Sequence, residues 1–281
     1  MTAVPAWKGR VTGIAAAAII ALVAIPAGIA GPAAAVPPSS PPSSSSSAVA
    51  KYVALGDSVA AGQGAGGYID ACLRSPSGYP ALLDAAPRTN LLRNASCSGA
   101  TIADVAASQL SQVNRGTTLV TLTVGANEVD LTGILVACTP PSPVEACIAA
   151  VGAAQAYLAS GKLATDVSGL VAVIADRSPG AEILVTGYAI PFAPGYSPLT
   201  DDVNALTAVM NGLIRAGVAG VAASGIDAEY VDVTPLFAGH GVGSVDPWLG
   251  ADPSDPLSFL HPNAAGYLAY RDAILAALAL P

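Results

Sequence analysis

Four short apolar runs, at residues 51–55, 117–124, 181–186 and 230–233, are separated by stretches that read as helix. This alternation restricts the fold more than any other feature of the chain. The run at 117–124, Thr-Thr-Leu-Val-Thr-Leu-Thr-Val, is mostly β-branched and stops at Gly125; the next two stop at Gly187 and at Thr234-Pro235. Helical patterns cover 79–86, 103–112, 143–159, 163–176 and 201–224, and a last one runs from Pro262 to about residue 278. Strands joined by helices demand a parallel sheet covered on both faces, so a single-domain, three-layer α/β/α architecture is expected.

In such a sheet, ligands bind beyond the carboxyl ends of the strands. Chemistry-bearing residues fall at that edge. Ser58 follows the first strand, and Gly125 and Asn127 follow the strand at 117–124. The segment 94–101 is expected as a loop entering a helix, and His261 stands at the start of the last helix. Serine is a poor nucleophile at neutral pH unless a base lies within hydrogen-bond reach. The chain has only two histidines, His240 and His261, so the search for that base is short. His240 sits in a glycine loop, 238–243, and is expected to face solvent.

Composition narrows the setting. The formal charge is −8, and loss of the leader cations Lys8 and Arg10 would take it to about −10. An acidic chain argues against nucleic acid and against anionic membranes as partners. Apolar residues make up 53% but aromatic ones only 5%, which suits small-residue packing of helices on a sheet. Residues 1–35 read as a signal peptide: Lys8 and Arg10, an apolar run over 11–30, then small residues at Ala33-Ala34-Ala35. The run is also long enough to span a bilayer if retained as an anchor. Residues 36–48 are a Pro/Ser-rich spacer unable to bury a core, leaving 49–281 as the folded domain. A secreted monomer without stable membrane insertion is expected.

Cys72, Cys97, Cys138 and Cys147 are an even set in an exported domain and imply two disulfides. Three pairings are open; the neighbour pairing Cys72–Cys97 and Cys138–Cys147 closes two short loops and is the expectation. A metal site competes poorly, because no Cys-x-x-Cys occurs and neither histidine is near a cysteine in sequence. Asp246, Asp252 and Asp255 are spaced by prolines and read as a solvated loop rather than a calcium site. No metal and no cofactor are expected. Gly62, Gly64 and Gly67 form a literal G-x-G-x-x-G, but they begin several residues after the strand, and Pro76 and Pro80 interrupt any following helix. A mobile loop beside Ser58 is the better reading. The sequence Gly56-Asp57-Ser58-Val59-Ala60 lacks the second glycine of a G-x-S-x-G elbow, which counts against the α/β-hydrolase fold.

Gly56-Asp57-Ser58, Gly99 within Cys97-Ser98-Gly99-Ala100-Thr101, Gly125-Ala126-Asn127 and His261-Pro262-Asn263 resemble, in order, the four blocks of the SGNH (GDSL-type) hydrolases. The resemblance covers residue 49 to the C-terminus. Cys72-Leu73-Arg74-Ser75 followed by Tyr79-Pro80, with Cys97 downstream, is similar more narrowly to the secreted esterase and lipase branch of actinomycetes. The resemblance implies a flavodoxin-like fold and an enzyme that cleaves small-molecule or lipid esters. It implies Ser58 as nucleophile, His261 as general base, and an oxyanion hole from the N–H groups of Ser58 and Gly99 and the amide of Asn127. Glycine at 99 would let the backbone approach substrate. Two positions depart from the family pattern. Ser258 stands where the family's acid usually precedes the histidine, so a main-chain carbonyl of Ser258 or Phe259 is expected to hold the imidazole, with Asp252 or Asp255 as alternatives. Glu128 replaces a common aspartate and is expected to support its loop. A carbohydrate or cell-wall O-acetylesterase shares this chemistry; an inactive surface-binding module is the reading from another class.

Overall fold

The computed structural model describes residues 48–138 and 142–278. The leader at 1–35 and all but the last residue of the 36–48 spacer therefore lie outside the described residues. Among the described residues, five parallel strands form one sheet: β1 (Ala50–Gly56), β2 (Thr89–Asn94), β3 (Leu119–Thr123), β4 (Glu182–Thr186) and β5 (Ala228–Val231), in the order β2-β1-β3-β4-β5. Tyr52 pairs with Leu119 and Gly56 with Thr123, so the ends of β1 and β3 are level. All five residues of β3 are buried, as a strand covered on both faces requires.

The helices are α1 (Ser58–Ala61), α2 (Tyr79–Asp84), α3 (Ile102–Asp104), α4 (Ala126–Val129), α5 (Leu131–Ala137), α6 (Val144–Ala159), α7 (Lys162–Arg177), α8 (Pro198–Ala222) and α9 (Ala264–Ala277). Among them α2 packs on α9 and α7 packs on α8. The start of α8 has a clear cause. Ser197 and Thr200 form a capping box, and Pro198 occupies the first turn, where its missing N–H costs nothing.

The α/β/α expectation holds, with corrections to its elements: helices α4 and α5 were not expected, and β5 begins two residues earlier than the run at 230–233. β2 is a strand that the sequence reading lacked. It lies at the sheet edge, and Asn90, Leu92 and Arg93 are exposed, so it carries no continuous apolar run. Residues 103–112 are not one regular helix. After the capping box of Thr101 and Asp104, the chain widens to a π-helical turn at Val105–Gln109 and tightens to a 3-10 turn at Leu110–Gln112. The wide turn has a partner: the buried Gln109 amide donates to Gly56 O at 2.9 Å and accepts from Gly56 N at 2.8 Å.

Disulfides join Cys72 to Cys97 and Cys138 to Cys147, each with a Cα–Cα distance of 4.3 Å. Among the described residues, no group of three or more His, Cys, Asp or Glu side chains is placed to hold a metal ion. The chain order reverses between β1 and β3, since β2 lies on one side of β1 and β3 to β5 on the other. The crevice at that reversal is where an open α/β sheet presents its ligand site.

Candidate active site

The Ser58 turn is held from three sides. Gln109 grips Gly56 as described, Asp57 N donates to Thr123 O at 2.9 Å, and the Asp57 carboxylate caps α1 by accepting from Val59 N at 3.0 Å. Ser58 opens α1 with its hydroxyl at the edge of the sheet.

His261 reaches the same point from the other end of the chain. Its Nε2 is 2.9 Å from Ser58 Oγ, and its Nδ1 is 2.9 Å from the carbonyl oxygen of Phe259. A carbonyl can only accept, so Nδ1 carries the proton and Nε2 is left with a lone pair for the serine hydroxyl. Leu260 lies between the two with φ 59°, a left-handed conformation costing on the order of 1–2 kcal/mol for a residue with a side chain. That turn lets the carbonyl fold back onto its own histidine. The Ser258 carbonyl instead accepts the backbone N–H of His261. Neither nearby acid reaches the imidazole: Asp255 accepts from Ser258 Oγ at 2.6 Å, and Asp252 caps Ser254. Burial pulls the His261 pKa below 6.5, and the Phe259 carbonyl partly offsets this.

The donors converge beside this pair. Among the described residues, the N–H groups of Ser58 and Gly99 donate to no protein acceptor. The Asn127 amide is aimed by a 2.9 Å bond to Ala100 O. Gly99 has φ 79°, a backbone conformation that glycine adopts freely, and no protein atom lies within 4 Å of where a Cβ would stand. Glu128 accepts from Ile102 N, tying α4 to the segment that presents Gly99, and burial raises its carboxyl pKa. Ser58, Gly99, Asn127 and His261 all line one cleft of about 280 Å³.

Three contributors escaped the sequence reading. Gly64, in the glycine-rich segment, lies against the histidine: a Cβ there would stand 2.8 Å from His261 Cβ and 2.6 Å from Pro262 O. A G-x-G-x-x-G spacing carries no hint of that contact. Gln63 bridges two loops, accepting from Ser98 Oγ at 2.5 Å and donating to Pro256 O at 3.2 Å. Tyr188 is buried after β4, and its hydroxyl donates to Asp57 Oδ2 at 2.5 Å and accepts from Ala126 N at 3.2 Å. It thus joins the turn before Ser58 to the turn before Asn127. Burial is the main cause that raises the Asp57 pKa to about 7; the Tyr188 hydroxyl opposes the rise.

His240 is half-buried rather than fully open to solvent. Its ring stacks on Trp248 with centroids 3.6 Å apart, and its Nδ1 lies 2.8 Å from Asp246 O. His240 does not line the cleft. A hydroxyl beside a neutral imidazole, with N–H donors clustered near it, is an arrangement suited to acyl transfer.

Comparison with known proteins agrees with that chemistry. Residues 54–269 match the model of the GDSL-like Lipase/Acylhydrolase family. A lipase of Streptomyces rimosus is 34% identical over 232 residues, covering 76% of this chain and 81% of that protein. The crystal structure of an extracellular lipase from Streptomyces rimosus superposes with a TM-score of 0.71 at 32% identity, covering 81% of this chain and 99% of the other. That of phospholipase A1 from Streptomyces albidoflavus NA297 gives 0.72 at 29% identity, covering 82% and 99%.

Proposed function

The chain belongs to the GDSL-like lipase/acylhydrolase family and is a carboxylic ester hydrolase; on that premise we propose that Ser58 and His261 carry the reaction as a dyad, with a peptide carbonyl in place of the usual acid. The Ser58 oxygen attacks the ester carbonyl while His261 Nε2 takes its proton. The tetrahedral oxyanion is received by the N–H of Ser58, the N–H of Gly99 and the amide of Asn127. As the carbonyl re-forms, the C–O bond of the ester breaks, and His261 returns the proton to the departing alcohol oxygen. Water then attacks the acyl-enzyme by the same route, releasing the acid and restoring Ser58.

Phe259 fixes the tautomer but supplies less stabilisation to imidazolium than a carboxylate would. The observation that carries the reading is the pair of 2.9 Å distances from His261, one to Ser58 Oγ and one to Phe259 O. The relatives, a lipase and a phospholipase A1, favour lipid esters as substrates. Export and action outside the cell are supported by the two disulfides and by the name of the Streptomyces rimosus relative, an extracellular lipase.

The test is Ser58→Ala, with hydrolysis of p-nitrophenyl butyrate and thermal unfolding measured on the same preparation. Turnover is expected to vanish with the melting temperature kept. A variant that folds and retains a tenth of wild-type turnover would require another nucleophile.

A further inference from the structure

A second concavity, of about 630 Å³, lies beside the catalytic cleft. The two share Thr132, Pro256 and His261. They differ in one respect that bears on substrate. Ser58, Gly99 and Asn127 line only the first cleft, whereas the second meets the catalytic groups at His261 and the neighbouring Phe259. In ester cleavage the two halves of the substrate part at this point. The carbonyl oxygen faces the oxyanion donors, while the alcohol oxygen must come within reach of the group that protonates it. Whatever is attached to the alcohol oxygen therefore extends past His261, towards the second concavity.

Its walls state what that group is. Leu135, Phe192, Leu199, Val242 and Phe259 form much of the surface, and none of the described lining residues is Asp, Glu, Lys or Arg. Phe192 and Tyr196 stack with centroids 6.2 Å apart, and Tyr196 and Val136 are 59% and 65% exposed at the rim. Apolar surface left open beside a site is stabilised when an apolar group covers it. A charged headgroup would find no counter-charge there and would lose hydration. Resting on the assignment of His261 as the proton donor to the leaving group, we propose that this groove is the leaving-alcohol subsite and takes an uncharged, apolar alcohol moiety. Acyl chains then occupy the first cleft. Tyr196 and Leu199 are the specificity-determining residues of the alcohol side.

The experiment uses the purified enzyme and two ester series below their solubility limits. One series fixes the acyl group as butyryl and varies the alcohol among methanol, octanol and choline. The other fixes methanol and compares butyrate with octanoate. Octyl butyrate is expected to exceed both methyl butyrate and butyrylcholine in kcat/KM by at least tenfold. Tyr196→Ala and Leu199→Asp are expected to cut the octyl-to-methyl ratio by about tenfold, without a matching change in the octanoate-to-butyrate ratio. Tyr196 is exposed enough for its truncation to leave the core intact, so a failure of Leu199→Asp to fold does not remove the test. An octyl-to-choline ratio near one, or variants that alter dependence on acyl length instead, overturns the assignment. Failure of the underlying chemistry is distinguishable, because Ser58→Ala would then still cleave every ester in both series.

Discussion

Replacing Tyr188 with phenylalanine removes one oxygen from the interior and disturbs two loops at once. The lost hydroxyl donates to the buried Asp57 carboxylate at 2.5 Å and accepts from Ala126 N at 3.2 Å. Losing a hydrogen bond to a charged group costs about 1.5–3 kcal/mol, and orphaning a buried N–H costs about 1–3 kcal/mol more. The first part depends on pH. Burial raises the Asp57 pKa from 3.8 to about 7, so the folded state holds this proton more tightly than the unfolded chain. The associated stability is fully present below pH 3.8 and is lost as pH rises through about 7. Without the tyrosine the carboxyl pKa moves higher still, and the loss extends to more alkaline pH. Tyr188 itself remains a donor throughout, since burial and then the Asp57 charge push its own pKa well above 10.0. At pH 5, where Asp57 is protonated, the substitution should cost about 2–3 kcal/mol; at pH 9, where it is ionised, about 1–2 kcal/mol more. Urea unfolding of both proteins at the two pH values measures the difference. Equal losses at pH 5 and pH 9 would refute the claim that Tyr188 serves an ionised Asp57.

Asn127→Ala should lower kcat by about 10²–10³-fold with little change in KM, read from initial rates on a nitrophenyl ester; a KM effect alone would remove Asn127 from the oxyanion site. The acid limb of kcat/KM should have its midpoint below 6.5, because burial holds His261 neutral into the acid range, and a midpoint at or above 6.5 contradicts that reading. Ser258→Ala should change turnover less than about threefold, since that hydroxyl points at Asp255 and not at the imidazole; a thousandfold loss would give the hydroxyl the orienting role. Replacing Cys72 and Cys97 together by serine should lower unfolding free energy by about 3 kcal/mol in a denaturant titration, and an unchanged midpoint would show that this 25-residue span adds no stability.

Element types were legible where local chemistry and burial agree. The buried runs of β1, β3 and β4 have apolar and β-branched side chains on both faces, and no helix period fits them. β2 was not legible, because an edge strand with one wet face has the composition of a loop. The π-helical turn at Val105–Gln109 was hidden for another reason. Its cause is the contact of Gln109 with Gly56, 53 positions away, and no local propensity encodes it. The site divides the same way. Ser58, Gly99, Asn127 and His261 stand at the sheet-end turns where strand pattern and short motifs place them. Tyr188 and Gly64 act through distant contacts, 131 residues away in the case of Tyr188 and Asp57, and carry no local mark. The choice between Ser258 and Phe259 turned on the single positive φ of Leu260, a backbone property that its side chain does not announce.

The Phe259 carbonyl has a bearing on genetics. Every residue type displays the same C=O, so no codon change at position 259 can delete the partner of His261. On the proposed mechanism an alanine scan would report Ser58, His261 and Asn127, whose side chains act, and stay blind to this carbonyl. Only editing the main chain itself, for example exchanging the amide that follows Phe259 for an ester and so weakening its carbonyl as an acceptor, would expose that contributor. Natural variation meets the same barrier at position 259: the carbonyl is lost only when the loop moves, as a change at Leu260 that forbids its positive φ would make it do.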